Sequence, residues 1–262
     1  MINEERFESN SSNNYKNLIK ISVVCSVLII ILTILDIVIG TALGGDLNAI
    51  PETAIDRFAQ LQSQPLLGLY YLDVLNMIIS ILMVPVFLSL FILQKSKNKG
   101  LMLLTIIVFI IGTVIFISNN AGLAMLGLSK QYAIAATSQK DLIAAAGESL
   151  LSNGAHGSMG AFLGFSLSMI ATILMSISMI QTKVFGKLTG WIGLLGSILL
   201  FVYLILVTFI PNAQTVAMAL AAPGGIMSLV WMVLYTLKLY KELKNFSRST
   251  KLLNEQATRS SR

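Results

Sequence analysis

Six long apolar runs dominate the chain, separated by short polar segments. They fall at about Ile21–Leu43, Leu66–Leu93, Leu101–Ser118, Gly157–Ile180, Leu188–Ile210 and Pro223–Tyr240. Runs of roughly 18–28 residues suit a hydrocarbon core about 30 Å thick once tilt is allowed. The pattern therefore predicts an all-α, polytopic membrane protein: a bundle of six transmembrane helices. Pro85 interrupts the second run, and proline in a membrane helix is tolerated, usually as a kink. Pro65 opens the second run, and Pro223 suits the first helical position of the sixth.

The connections differ in kind. Residues 1–17 are rich in Asn, Ser and Glu and are expected to be disordered. Between runs one and two, Pro51-Glu52-Thr53 and the spacing of Ile55, Phe58 and Leu61 predict a short surface helix. The longest connection, residues 119–156, holds Ser138-Gln139-Lys140-Asp141, which resembles a capping box with aspartate in place of Glu or Gln. An alanine-rich helix to about Leu151 is expected after it. The domain organisation is then a tail at 1–17, a six-helix domain at 18–242 and a basic tail at 243–262. The first run is read as an uncleaved anchor. Its apolar core of about 20 residues exceeds the 7–15 of a secretory signal, although Ala42-Leu43-Gly44 offers small residues at a cleavage spacing.

Composition supports the bilayer reading. Hydrophobic residues make up 55% of the 262 and charged residues 11%, against about 25% charged in a soluble domain. Mean hydropathy is +0.81. The formal net charge of +6 reads as orientation rather than nucleic-acid binding, because the spans divide the basic residues among separate loops. One side collects fifteen Lys and Arg: three before the first run, Lys95, Lys97 and Lys99, Lys183 and Lys187, and seven from Lys238 onward. The other side has three: Arg57, Lys130 and Lys140. The positive-inside rule then places both termini in the cytoplasm of a cell-membrane protein. The bilayer is the expected partner. The stretch from Lys238 to Lys251 suits an anionic inner leaflet, where each cation is worth about 1 kcal/mol.

Two acids lie inside the apolar runs, Asp36 and Asp73. A carboxylate in hydrocarbon costs about 3 kcal/mol on insertion scales, which makes each a candidate functional residue. Ser22, Ser26, Thr33, Asp36 and Gly40 fall on one helical face, and so do Asp73, Asn76 and Ser80. At 1.5 Å per residue both acids lie about 10 Å from the outer end. If they meet, one pKa rises and the pair can share a proton or a cation. The alternative is that each acid is hydrated near the surface or hydrogen-bonds a neighbouring helix. Asn119, Asn120 and His156 belong to the same outer side. Asp36, Asp73, Asn76, Asn119, Asn120 and His156 thus form the candidate outward-facing polar pocket.

Other chemistry is thinly supported. One cysteine, Cys25, allows no intrachain disulfide, and one cysteine with one histidine falls short of a structural zinc site. No cofactor is implied. The chain has no G-x-S-x-G, phosphate-binding glycine loop or H-E-x-x-H. An enzyme built on Asp73 and His156 is disfavoured because the chain has a single histidine. Gly160 and Gly164 make a close-packing face, as do Gly186, Gly190 and Gly193. Intramolecular packing is the preferred reading of these, with a homo-oligomer or a membrane partner as the alternative. Trp191, Trp231 and Tyr240 suit interface anchoring or packing.

The stretch from Tyr132 to Leu199 resembles a family of prokaryotic membrane proteins known as a domain of unknown function. The shared features are Tyr132, the Ser138-led segment, His156, and the turn Val184-Phe185-Gly186-Lys187-Leu188-Thr189-Gly190, with Asp73 as an acid in the second span. The similarity extends over about residues 18–242 and departs from the pattern in lacking a proline before Gly186. It implies six helices and no activity. Two functional classes remain: a protein that binds or moves a proton, cation or small solute, and a non-catalytic scaffold acting through its outer loops and helix faces.

Overall fold

The computed structural model describes residues 2–42, 51–155 and 157–260, with side chains over 15–40, 51–155, 157–213 and 215–248. Ten helices form it, with no strand among the described residues: α1 (Ile2–Ala42), α2 (Ala54–Ser63), α3 (Pro65–Tyr71), α4 (Val74–Gln94), α5 (Lys99–Asn119), α6 (Gly122–Ile134), α7 (Thr137–Gly154), α8 (Met159–Thr182), α9 (Lys187–Phe209) and α10 (Gln214–Ser260). Six of the helical stretches are long and apolar enough to cross a bilayer. The helical backbone of α1 and α10 reaches into the segments assigned above to the two tails.

The long helices close into a ring. α1 packs on α4, α4 on α5, α5 on α8, α8 on α9, α9 on α10, and α10 returns to α1. The remaining helices, α2, α3, α6 and α7, form a crown at one end. The opposite end carries the α4–α5 and α8–α9 turns with their lysines.

The apolar core sits toward the lysine end. It gathers Ile29 of α1, Met83, Val86, Phe87 and Leu90 of α4, Met102, Ile106 and Phe109 of α5, Met175 and Met179 of α8, and Trp231, Tyr235 and Leu239 of α10. Phe87 and Phe109 stack at 3.9 Å between centroids. Trp231 is 1% exposed, whereas Trp191 and Tyr240 are 50% and 58% exposed. Trp231 is therefore a packing residue, and the other two face outward.

Glycine permits the closest helix approaches. A Cβ on Gly164 of α8 would lie 2.7 Å from the Phe116 Cα, and one on Gly112 of α5 would lie 2.9 Å from the Ser168 backbone nitrogen. On α9, added carbons at Gly190 and Gly193 would meet the Ile180 and Ser176 backbone and the Trp231 ring. Gly160 abuts Asn119 and Asn153. Gly186 behaves differently: it has φ +86° and nothing near its missing Cβ, so it serves the turn into α9 rather than helix packing.

Three expected elements differ. The second apolar run is not one helix: it breaks at Leu72-Asp73, where Asp73 takes the left-handed conformation with φ 58°. Pro223 lies inside α10, because the small apolar residues after the Pro211-Asn212 turn already continue the helix N-terminal to it. Ser138 is not the cap of α7. That helix begins at Thr137, after extended Ala136, whose carbonyl accepts from the Gln139 N–H at 2.8 Å. Pro85 lies inside α4, next to α1, where the buried Ser22 hydroxyl lies 2.6 Å from the Pro85 carbonyl and 2.7 Å from Ser89 Oγ.

Overpacking a tight core costs about 1–3 kcal/mol. Gly164→Ala, whose added carbon meets Phe116 backbone, is expected to lower stability by about that amount. Gly100→Ala, with open space around it, is expected to be neutral. Thermal unfolding of both purified variants in detergent checks the contrast.

Candidate functional site

The crown is assembled from residues that bury one face of each short helix. Thr53 caps α2: its hydroxyl accepts from the Asp56 N–H at 3.2 Å. Glu148 of α7 accepts from the Ala54 N–H at 2.6 Å, placing a carboxylate on the positive end of α2. Ala54, Phe58 and Leu61 then pack with Leu72, Ala121, Met125 and Leu151. Phe58 and Tyr132 contact ring to ring at 5.3 Å, and Gln62 Nε2 donates to the Ser129 carbonyl at 2.9 Å. The helices expected in loops one and three are thus packed against one another through α6.

Beneath the crown the α3–α4 break fixes Asp73. Its N–H donates to the Tyr70 carbonyl at 3.0 Å, and its carbonyl accepts from the Met77 N–H at 2.9 Å. Asn120 supports the break from the α5–α6 junction. Its Nδ2 donates to the Leu72 carbonyl at 2.9 Å, and its Oδ1 accepts from the Gly122 N–H at 3.0 Å. The third apolar run is thereby divided at Asn120. Asp73 is 8% exposed, and Asn76 Nδ2 donates to Asp73 Oδ1 at 2.9 Å. Asp73 and Asn76 therefore meet, although Asp73 is not itself on a regular helical face.

Asp36 reaches the same region from α1 and is half-buried. Tyr70 of α3 donates from Oη to the Asp36 carbonyl at 3.3 Å. Gly40, one turn on, would place a Cβ 3.3 Å from that hydroxyl. Burial raises the Tyr70 hydroxyl above its ordinary range, followed by the Asp36 charge, a hydrogen bond with the Asp36 side chain, and the charges of Asp73 and Tyr71. Tyr203, from α9, also lies within electrostatic reach of both Asp73 and Asp36. Four elements, α1, α3, the α3–α4 break and α9, thus converge on one patch.

Arg57 completes the patch from above. It is 6% exposed on α2. Burial lowers its affinity for the proton, while Tyr71 and Asp73 act to raise it. Arginine stays protonated in proteins, so a buried cation stands within electrostatic reach of Asp73. Its Nε and Nη1 are buried with no hydrogen-bond partner.

The remaining expected residues part company. Asn119 and Asn153 bond to each other at 2.5 Å, and Asn119 Nδ2 donates to the Ile115 carbonyl at 2.9 Å. Gly154 and Gly160 pack against Asn119. Asn119 thus joins α5 to α7 and α8, and Asn120 holds the α3–α4 break. His156 lies outside the described residues. No group of three or more His, Cys, Asp or Glu able to hold a metal occurs among the described residues.

Sequence reasoning missed Arg57, Tyr70 and Tyr203 as members. One signal was available for each of two: Arg57 is one of three cations on the sparsely charged side, and Tyr203 places a hydroxyl inside an apolar run.

The fold and the charge-bearing patch define a six-span, all-helical membrane protein with a packed crown. Residues 24–235 match a family described as a domain of unknown function, DUF4386, and the chain belongs to that family. No curated protein and no solved structure matches it.

Leaving a buried backbone acceptor unmatched costs about 1–3 kcal/mol. Asn120→Ala strips the Leu72 carbonyl of its partner and is expected to lower stability by about that amount. Chemical or thermal unfolding of the purified variant checks this. Unchanged stability would show that Asn120 is not the support of the break.

Proposed function

We propose that the protein is a cell-membrane protein with both termini in the cytoplasm, whose crown faces outward and covers a site that binds or moves a small polar solute. The observation that carries the reading is the pair of acids held beneath the crown, Asp36 against Tyr70 and the buried Asp73 against Asn76, both within electrostatic reach of Tyr70 and Tyr203. It gains support from the position of the main apolar core, which gathers toward the lysine end, while Thr33, Asp36, Asn76, Ser80 and Tyr203 lie partly buried nearer the crown. Charges in such a setting are expensive and are retained where a proton, cation or polar solute is handled. Asp36 and Asp73 are the charge-bearing groups, with Asn76 orienting Asp73 and Tyr70 and Tyr203 supplying hydroxyls. His156 belongs to the proposal by its place in the chain, at the start of the fourth span.

A second reading, a scaffold acting through its crown, draws on Leu123, Ile134 and Leu142, which are exposed on α6 and α7. It makes those side chains matter more than the acids.

Neutralisation separates the two. Asn tolerates left-handed backbone better than Ala, so Asp73→Asn is the proper variant at φ 58°. Asp36→Asn, Asp73→Asn and the double variant are expected to reach the membrane at normal levels yet fail to complement loss of the gene. Full complementation by the double variant would end the solute-site reading. Full loss with Leu123→Ser and Leu142→Ser in its place would favour the scaffold.

Orientation has its own check. In a Cys25→Ser background, cysteines are introduced at the exposed positions Ser96 and Ser149. An impermeant maleimide applied to intact cells is expected to label the Ser149→Cys protein and spare the Ser96→Cys protein. The reverse pattern would invert the topology.

A further inference from the structure

Arg57 is the one feature of the crown that the handling of a proton or cation leaves unexplained. A cation binding near paired acids gains nothing from a guanidinium beside them. Nor is Arg57 a surface cation reaching for water or lipid headgroups, since it is 6% exposed. Burying a charged group whose donors lack partners is costly, and the groups that repay that cost are acceptors placed to receive its N–H groups. Asp73 acts on Arg57 through charge, yet Nε and Nη1 remain without a hydrogen-bond partner. Gln60 Oε1, one turn along the same helix, is likewise buried without a partner. A buried donor-rich cation and a buried amide acceptor thus lie one turn apart on α2, with the cation within electrostatic reach of Tyr71 and Asp73.

This juxtaposition of opposite charges is complementary to a molecule that carries both. We infer that the solute is a small zwitterion: its anionic carboxylate or phosphate sits on Arg57, and its ammonium group sits between Asp36 and Asp73. Arg57 is the specificity residue that distinguishes such a solute from a simple cation. The planar guanidinium suits either oxyanion, whereas a lysine ammonium presents a point charge without the same fork. The inference rests on the solute-site reading above and deepens it. The ammonium could belong to a free solute or to a phosphoethanolamine lipid headgroup, which share the same chemistry.

The test uses the full chain, purified in detergent, with binding read by isothermal calorimetry. Four probes are compared: glycine, O-phosphoethanolamine, ethanolamine and inorganic phosphate. Wild type is expected to bind glycine or O-phosphoethanolamine at least about 10-fold more tightly than ethanolamine or phosphate, the scale of a charge-assisted hydrogen bond. Arg57→Lys and Arg57→Gln are expected to abolish that advantage while ethanolamine binding persists. Reconstitution into nanodiscs with or without phosphatidylethanolamine then separates the sources: loss of soluble-probe binding only with that lipid identifies the headgroup, and binding in both identifies a free solute.

Wild type binding the zwitterions no more tightly than ethanolamine overturns the inference without recourse to any variant. An advantage that survives in Arg57→Gln overturns it too. Ethanolamine binding that depends on Asp36 and Asp73 but ignores Arg57 leaves the solute site standing and removes only the zwitterion. No binding of any probe overturns the zwitterion, and complementation by the double aspartate variant decides separately on the site.

Discussion

In hydrocarbon, a backbone can break only where something else satisfies the groups that the break frees. The interruption at Leu72-Asp73 is where this chain meets that constraint, and the crown depends on it. Short-range bonds absorb the two N–H groups: Leu72 donates to Leu69 and Asp73 to Tyr70. The Leu72 carbonyl, which loses its helical partner, is taken by Asn120 from a different part of the chain. The break turns α3 away from α4, and that places Tyr70 against α1 and sets Leu72 into the crown core. An uninterrupted second helix would carry Asp73 on a regular face.

Large side chains and small ones share the packing of the ring. Toward the lysine end, large side chains such as Phe87, Phe109, Met175, Trp231 and Tyr235 fill the interior. Small residues bring α5 to α8 and α8 to α9 at close range through Gly112, Gly164, Gly190 and Gly193. Membrane helices have no hydrophobic drive to associate, so such close contact supplies the attraction. Toward the crown, aromatic pairs such as Phe116 with Phe165 and Phe162 with Phe209 continue the packing, and Asp36, Asn76 and Ser80 enter from α1 and α4.

Charge inside the crown is balanced in an unequal way. Asp73 and Arg57 are both buried and act on each other through charge, Asp36 is half-buried nearby on α1, and no metal-binding group of three occurs among the described residues. Buried charges of this kind contribute little net stability, because desolvation offsets their attraction. The two phenols add neutral hydroxyls that donate or accept beside the acids without adding charge at neutral pH.

Six spans, their approximate bounds and the helices in loops one and three were legible in the sequence, because hydrophobic run length and turn residues are local properties. So was the inward face of α1: Ser22 and Ser26 are buried, as helical spacing indicates. The left-handed residue at Asp73 was not legible, because aspartate occurs in helices and left-handed turns alike, and only the Asn120 contact from 48 residues away makes the break affordable. The contacts of Asn119 and Asn120 were not legible for the same reason: depth along the chain says which end of the bundle a residue is at, but not what it touches. The sequence alone determined which segments enter the bilayer and which acids lie among them. Only the tertiary structure decided that Tyr70 meets Asp36 and that Arg57 is buried with donors to spare within electrostatic reach of Asp73, because those relations are set by how helices distant in the chain pack together.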